Sequence, residues 1–137
     1  METKKRLLAI LENSRNYTLA VAEAMPKNHY YNSPVDGIWN FGELMDHIAY
    51  GIEWWKDYYI IKVENQWNPP ANKESKMETT VYLEQAYKLL KETVENTDPD
   101  DTVVDGFRST LDHIAHHRGQ ATTYLRLARI TPPEYNY

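Results

Sequence analysis

Residues 64–75 read Glu-Asn-Gln-Trp-Asn-Pro-Pro-Ala-Asn-Lys-Glu-Ser (ENQWNPPANKES), a stretch that no regular element can absorb. The link this stretch centres, from about Lys62 to Lys76, has about 14 residues and spans roughly 45 Å when extended. A helix of 20 residues is only about 30 Å long. The link is therefore long enough to run the whole length of a helical domain and leave the helices on either side of it parallel.

Both flanks carry apolar residues at spacings of three and four, the mark of helices that bury one face. Before the link, Asn40 and Glu43 make a capping box that opens a helix with the stripe Leu44, Ile48, Ile52, Trp55 and Tyr59. After it, a helix starts between Ser75 and Thr80, with Ser75 and Glu78 as a second possible box. That helix continues through Val81, Tyr82, Leu83, Ala86, Tyr87, Leu90 and Val94 and stops at Asn96-Thr97-Asp98-Pro99.

Further out, Thr3 to Met25 places Leu7, Ile10, Leu11, Ser14, Tyr17, Val21 and Met25 on one side and ends at Pro26. A last helix begins between Thr102 and Ser109, its start blurred by Asp105-Gly106. It carries Phe107, Leu111, Ile114, Ala121, Leu125 and Ala128 and closes at Thr131-Pro132-Pro133. The expected architecture is all-α, a four-helix bundle in one domain over residues 1–137. The short link between the third and fourth helices predicts that these two are antiparallel neighbours.

Composition narrows the function. The formal charge of -5, with basic residues scattered, opposes nucleic-acid binding. No apolar run approaches the roughly 18 residues of a membrane helix. The amphipathic start carries no secretion signal, and a cytoplasmic protein is expected. With zero cysteines there is no disulfide, no thiolate ligand and no cysteine nucleophile, so any metal site is built from nitrogen and oxygen.

Three of the five histidines fall in Asp112–Tyr124, DHIAHHRGQATTY. Residues four apart share a helix face, so His113 and His117 are able to hold one cation together, while His116, about 100° from His117 and about 60° from His113, is the less suitable second ligand. The same line continues to Gln120 and Tyr124. A solvated polar face is the plain alternative. His47 lies at the edge of the second helix's core stripe, where it is either a hydrogen-bonded core residue or a third ligand. Three neutral imidazoles around one ion leave positions for water or substrate, a set that suits Zn, Ni, Fe or Co better than Mg or Ca.

Glu43, one turn before His47, serves the capping box or assists the imidazole. His29 has no partner at helical spacing and is a surface residue. Arg118 falls near the core line, which calls for a carboxylate clamp or an anionic substrate. Gly119 costs about 1 kcal/mol relative to alanine, and a close helix crossing is the simplest compensation.

His113-Ile-Ala-His-His117-Arg118-Gly119-Gln120, with the upstream Gly42-Glu-Leu-Met-Asp-His47-Ile-Ala, resembles the DinB family of the DinB/YfiT-like superfamily. The frame is similar too: Trp-Asn-Phe-Gly-Glu-Leu opens the second helix, Glu53-Trp54-Trp55 follows the histidine, and Leu-Arg-Leu precedes Pro-Pro. The likeness covers nearly the whole chain. It implies up-down-down-up topology, a homodimer, and a divalent metal on His47, His113 and His117.

Some relatives look like metal-dependent transferases that join low-molecular-weight thiols to small electrophiles, and that is the expected activity here. Metal-dependent hydrolysis and a non-catalytic, dimeric stress-response or binding role are the alternatives. Trp54, Gln120 and Tyr124 are candidates to line the cofactor pocket, and Glu43 and His116 are candidates to move protons.

Overall fold

The computed structural model describes residues 2–135, with four helices: α1 (Glu2–Ala24), α2 (Phe41–Trp55), α3 (Lys76–Glu95) and α4 (Asp101–Leu127). A short 3-10 turn, Lys27–His29, lies between α1 and α2, and a π-helical turn, Lys56–Ile61, prolongs α2. No helix of the described residues is long and apolar enough to cross a membrane.

Local chemistry explains the ends. Asn40 accepts the Glu43 N–H at 2.8 Å while Glu43 Oε1 accepts the Asn40 N–H at 3.2 Å, so the expected capping box is complete. Ser75 caps α3 through the Glu78 N–H, but no reciprocal box forms there. The Glu78 carboxylate reaches one residue further and accepts the Glu74 N–H at 2.9 Å. The α4 helix begins earlier than its apolar spacing suggests, because Asp100 caps it through the Val103 N–H. Gly106 does not delay that start: it lies inside the helix because a Cβ there would sit 2.3 Å from the Tyr59 carbonyl oxygen.

Contacts between specific residues give the direction of each helix. Lys4 Nζ donates to the Glu95 carbonyl and Lys76 Nζ to the Glu23 carbonyl, so α1 and α3 are antiparallel. His47 meets His117 while Gly106 meets Tyr59, so α2 and α4 are antiparallel. Thr79, at the start of α3, donates to Asp46 near the start of α2, so these two run parallel.

The connector makes that possible by running back along α2. Asn65 O accepts from Trp54 Nε1, the Asn68 N–H donates to Tyr50, and the Lys73 N–H donates to Asp46. The topology is up-down-down-up. The packed pairs are α1 with α3, α1 with α4, α2 with α3 and α2 with α4. The expectation that α3 and α4 are neighbours is therefore corrected: they are antiparallel but lie on a diagonal. The five residues between them, 96–100, reach roughly 16 Å when extended, enough to cross the end of the bundle.

All four helices contribute to one core, which includes Leu11, Val21, Ile48, Ile52, Leu83, Leu90, Ile114 and Leu125. Thr18 and Ala22 take part of the core face of α1. Ile10, expected in that face, is 48% exposed. It lines a groove between α1 and α4.

A polar chain crosses the core. Tyr87 donates its hydroxyl proton to Thr18 Oγ1 at 2.8 Å, which leaves Ser14 Oγ, 2.9 Å from the phenol, as the donor to Tyr87. Thr18 Oγ1 also accepts Arg118 Nη1 at 3.1 Å. Arg118 is only 7% exposed, and its guanidinium lies 4.9 Å from the ring centre of Tyr17 and 5.5 Å from that of Tyr135. Among the described residues no carboxylate pairs with it, so the clamp expected from its buried position is a pair of tyrosine faces and a hydroxyl.

Gly119 also departs from expectation. A Cβ there meets nothing within 4 Å, so no close crossing demands the glycine. Gly119→Ala is expected to stabilise the protein by about 1 kcal/mol, measured as a rise in Tm.

Candidate metal centre

His47 faces outward from α2 toward α4, which presents His113 and His117 one turn apart. His47 Nε2 lies 3.0 Å from His117 Nε2 and 3.2 Å from His113 Nε2. One ligand atom from each ring falls within 4.8 Å of the others. A tetrahedral ion with bonds of about 2.0 Å needs its ligand atoms roughly 3.3 Å apart. The two separations from His47 already come close to that spacing.

Each ring is held by a different device. His117 Nδ1 is 2.8 Å from Gln120 Oε1, so the ring donates there and its Nε2 keeps a free lone pair toward the cluster. His113 stacks on Trp55 with centroids 4.2 Å apart and an interplanar angle of 16°. Its other edge lies against Gly51, where a Cβ would come 2.3 Å from His113 Cε1. His47 lies between Trp39 at 4.6 Å and Trp67 at 5.4 Å.

Without a cation the arrangement is short of hydrogen-bond partners. His117 Nε2 is an acceptor by virtue of Gln120, so His47 Nε2 must donate to it. His113 Nε2 is then also an acceptor, which places its proton on Nδ1. That atom is buried and has no hydrogen-bond partner among the described residues. The donor set, three imidazole nitrogens aimed at one point and incompletely satisfied by one another, fits a divalent ion of the Zn, Ni, Fe or Co type.

Burial, followed by the neighbouring His117, pulls His47 from the usual 6.5 down to about 4. Burial, followed by His117, His47 and His116, takes His113 to about 3. Burial also lowers His117, opposed by its bond to Gln120. All three are thus neutral and ligand-ready near neutral pH.

Above pH 6.5 folded and unfolded chains both carry neutral rings and stability is unaffected. Below it the unfolded chain takes up protons that the folded site refuses. Stability therefore falls until the folded rings titrate near 4 and 3. The urea midpoint of metal-free protein is expected to drop as pH goes from about 7 to about 4, and to drop less in a His47→Gln, His113→Gln double variant.

The other residues singled out from sequence stand around this cluster. Glu43 lines a cavity of about 340 Å³ together with His47, Trp39 and Trp67. His116 is exposed, its ring 4.9 Å from that of His117. Trp54 lies behind Trp67, with centroids 5.5 Å apart, and its indole N–H holds the connector at Asn65. The Tyr124 hydroxyl donates to the Trp39 carbonyl at 2.8 Å, tying that residue to α4.

Trp39, Trp55 and Trp67 are not legible as site residues, whereas Gly51 falls on the line of His47. Trp39 immediately precedes the Asn40 cap, and Trp67 belongs to the aperiodic connector, so only the path of the chain brings them to His47. Among known families, the model described as the DinB superfamily matches residues 10–121. No curated protein matches the chain.

Proposed function

The chain belongs to the DinB superfamily, and from that premise we propose a metal-dependent transferase that joins a low-molecular-weight thiol to a small electrophile. His47, His113 and His117 hold one divalent ion. The observation that carries this is the Nε2 spacing of 3.0 and 3.2 Å across two helices.

A divalent ion at such a site supplies Lewis acidity, which lowers the pKa of a thiol or water. The chain's own residues supply the setting. Gln120 keeps the proton of His117 on Nδ1, and Trp55 fixes the plane of His113. Trp39 and Trp67 flank His47. Glu43, on the cavity wall, and His116, on the solvent side, are the groups available to exchange protons. In the transfer the thiol gives up its proton, sulfur bonds to the electrophilic carbon, and the leaving group departs with its bonding pair. A chain with no cysteine takes its sulfur from the thiol cosubstrate.

The test compares metal-loaded protein with a variant lacking the three histidines, using cysteine or glutathione and an alkyl halide. Thioether formation that needs both metal and thiol supports the proposal. Rates equal to those of the variant would contradict it, and equal consumption of the halide without thiol would point instead to hydrolysis.

A further inference from the structure

The cavity beside His47 has a character of its own. Trp39, Tyr50, Trp67 and Tyr82 form its aromatic walls, and Glu43 and Asp46 are its charged residues. Among the described residues no lysine or arginine lines it. Asp46 is only 6% exposed; it accepts the Lys73 N–H at 2.8 Å and the Thr79 hydroxyl at 2.9 Å, both uncharged donors. Among the described residues neither Asp46 nor Glu43 has a cation within ion-pair range.

A buried carboxylate with no cation in contact is costly; only the more distant charge of Lys73 offsets the burial of Asp46, and π-faces with nearby negative charge favour positive guests. The chain already uses one of these rings in that way: Lys73 Nζ lies 4.7 Å from the ring centre of Tyr82. Lys73 does not line the cavity itself, which leaves the space open to a guest.

We propose that this cavity binds the ammonium head of a small organic cation, with the rest of the molecule directed toward His47. The inference rests on the proposed function, since it makes the cavity the substrate pocket of the metal centre. It narrows the substrate to compounds with an alkylated or primary ammonium at one end. Aromatic surface alone would accept a neutral group of the same shape, whereas the two carboxylates and the ring faces distinguish by charge.

The test titrates choline, and its neutral isostere with carbon in place of nitrogen, into metal-free and metal-loaded protein, followed by tryptophan fluorescence and calorimetry. Choline is expected to bind roughly tenfold more tightly than the isostere. Glu43→Gln, which keeps the capping box, should remove much of that preference while leaving the isostere's affinity unchanged. Equal affinity for the two compounds, or binding of neither, overturns the proposal. Metal uptake in the same samples separates the two ideas: a charge preference in protein that takes up no metal sustains the cation pocket and defeats the metal centre. Metal uptake with no preference does the reverse.

Discussion

Replacing His47, His113 and His117 together by alanine is expected to reduce divalent-metal uptake from one ion per chain to none, with helix content unchanged. The three rings are only partly buried and lie outside the apolar core, and alanine is the best helix former. The fold therefore has no need of them. The loss should be visible thermodynamically as well as analytically. A ligand that binds only the folded state adds about 2.7 kcal/mol at a hundred times its Kd. That metal-dependent rise in Tm should be absent from the triple variant. The variant should also lose the acid sensitivity that the two strongly shifted rings, at about 4 and about 3, impose on the metal-free protein. Stoichiometric metal retained by the triple variant would show that the ion sits elsewhere.

Gly51→Ala is expected to damage the same site without touching a ligand. The new Cβ would sit 2.3 Å from His113 Cε1 and 2.6 Å from Nδ1. Trp55, stacked on the ring's face at 4.2 Å, leaves the ring to give way only within its own plane. Any movement that relieves the clash carries His113 Nε2 away from its place 3.2 Å from His47. Groups that orient ligands are worth about 10- to 100-fold in metal affinity, and a loss of that size is expected here. The helix itself gains, since alanine is favoured over glycine by about 1 kcal/mol. The signature is therefore weakened metal binding in a protein that remains folded, read by competition with a chelating dye and by circular dichroism. Unchanged affinity would mean that the contact between Gly51 and His113 does not position the ring.

Much of the bundle was legible because helix burial leaves a local trace. The apolar spacing located all four helices, and the Asn40–Glu43 box marked the start of α2. The length of the connector allowed the parallel α2–α3 pair, whose path along Trp54, Tyr50 and Asp46 the structure shows. Features set by tertiary approach left no such trace. Gly106 looks like a helix breaker until the Tyr59 carbonyl is seen against it. Arg118 suggests a carboxylate partner, but its charge is met by Tyr17, Tyr135 and Thr18. The diagonal placement of α3 and α4 depends on what α1 and α2 place between them, which a short link does not reveal.

The histidine cluster divides in the same way. The spacing of His113 and His117 put them on one face, and His47 was singled out by its place at the edge of a core stripe. The support around them was not apparent. Gln120 is a candidate for the pocket, and the structure places its amide against His117 Nδ1. Tyr124, another such candidate, bonds the Trp39 backbone. The aromatic walls come from a pre-cap residue and a connector, segments whose periodicity says nothing about where they point.

Anomalous diffraction at the metal absorption edge, from crystals of untagged protein loaded with Zn or Co, locates the ion outright. One peak per chain is expected within bonding distance of His47 Nε2, His113 Nε2 and His117 Nε2, with at least one further position occupied by solvent. No peak among those three nitrogens after loading at neutral pH would contradict that placement.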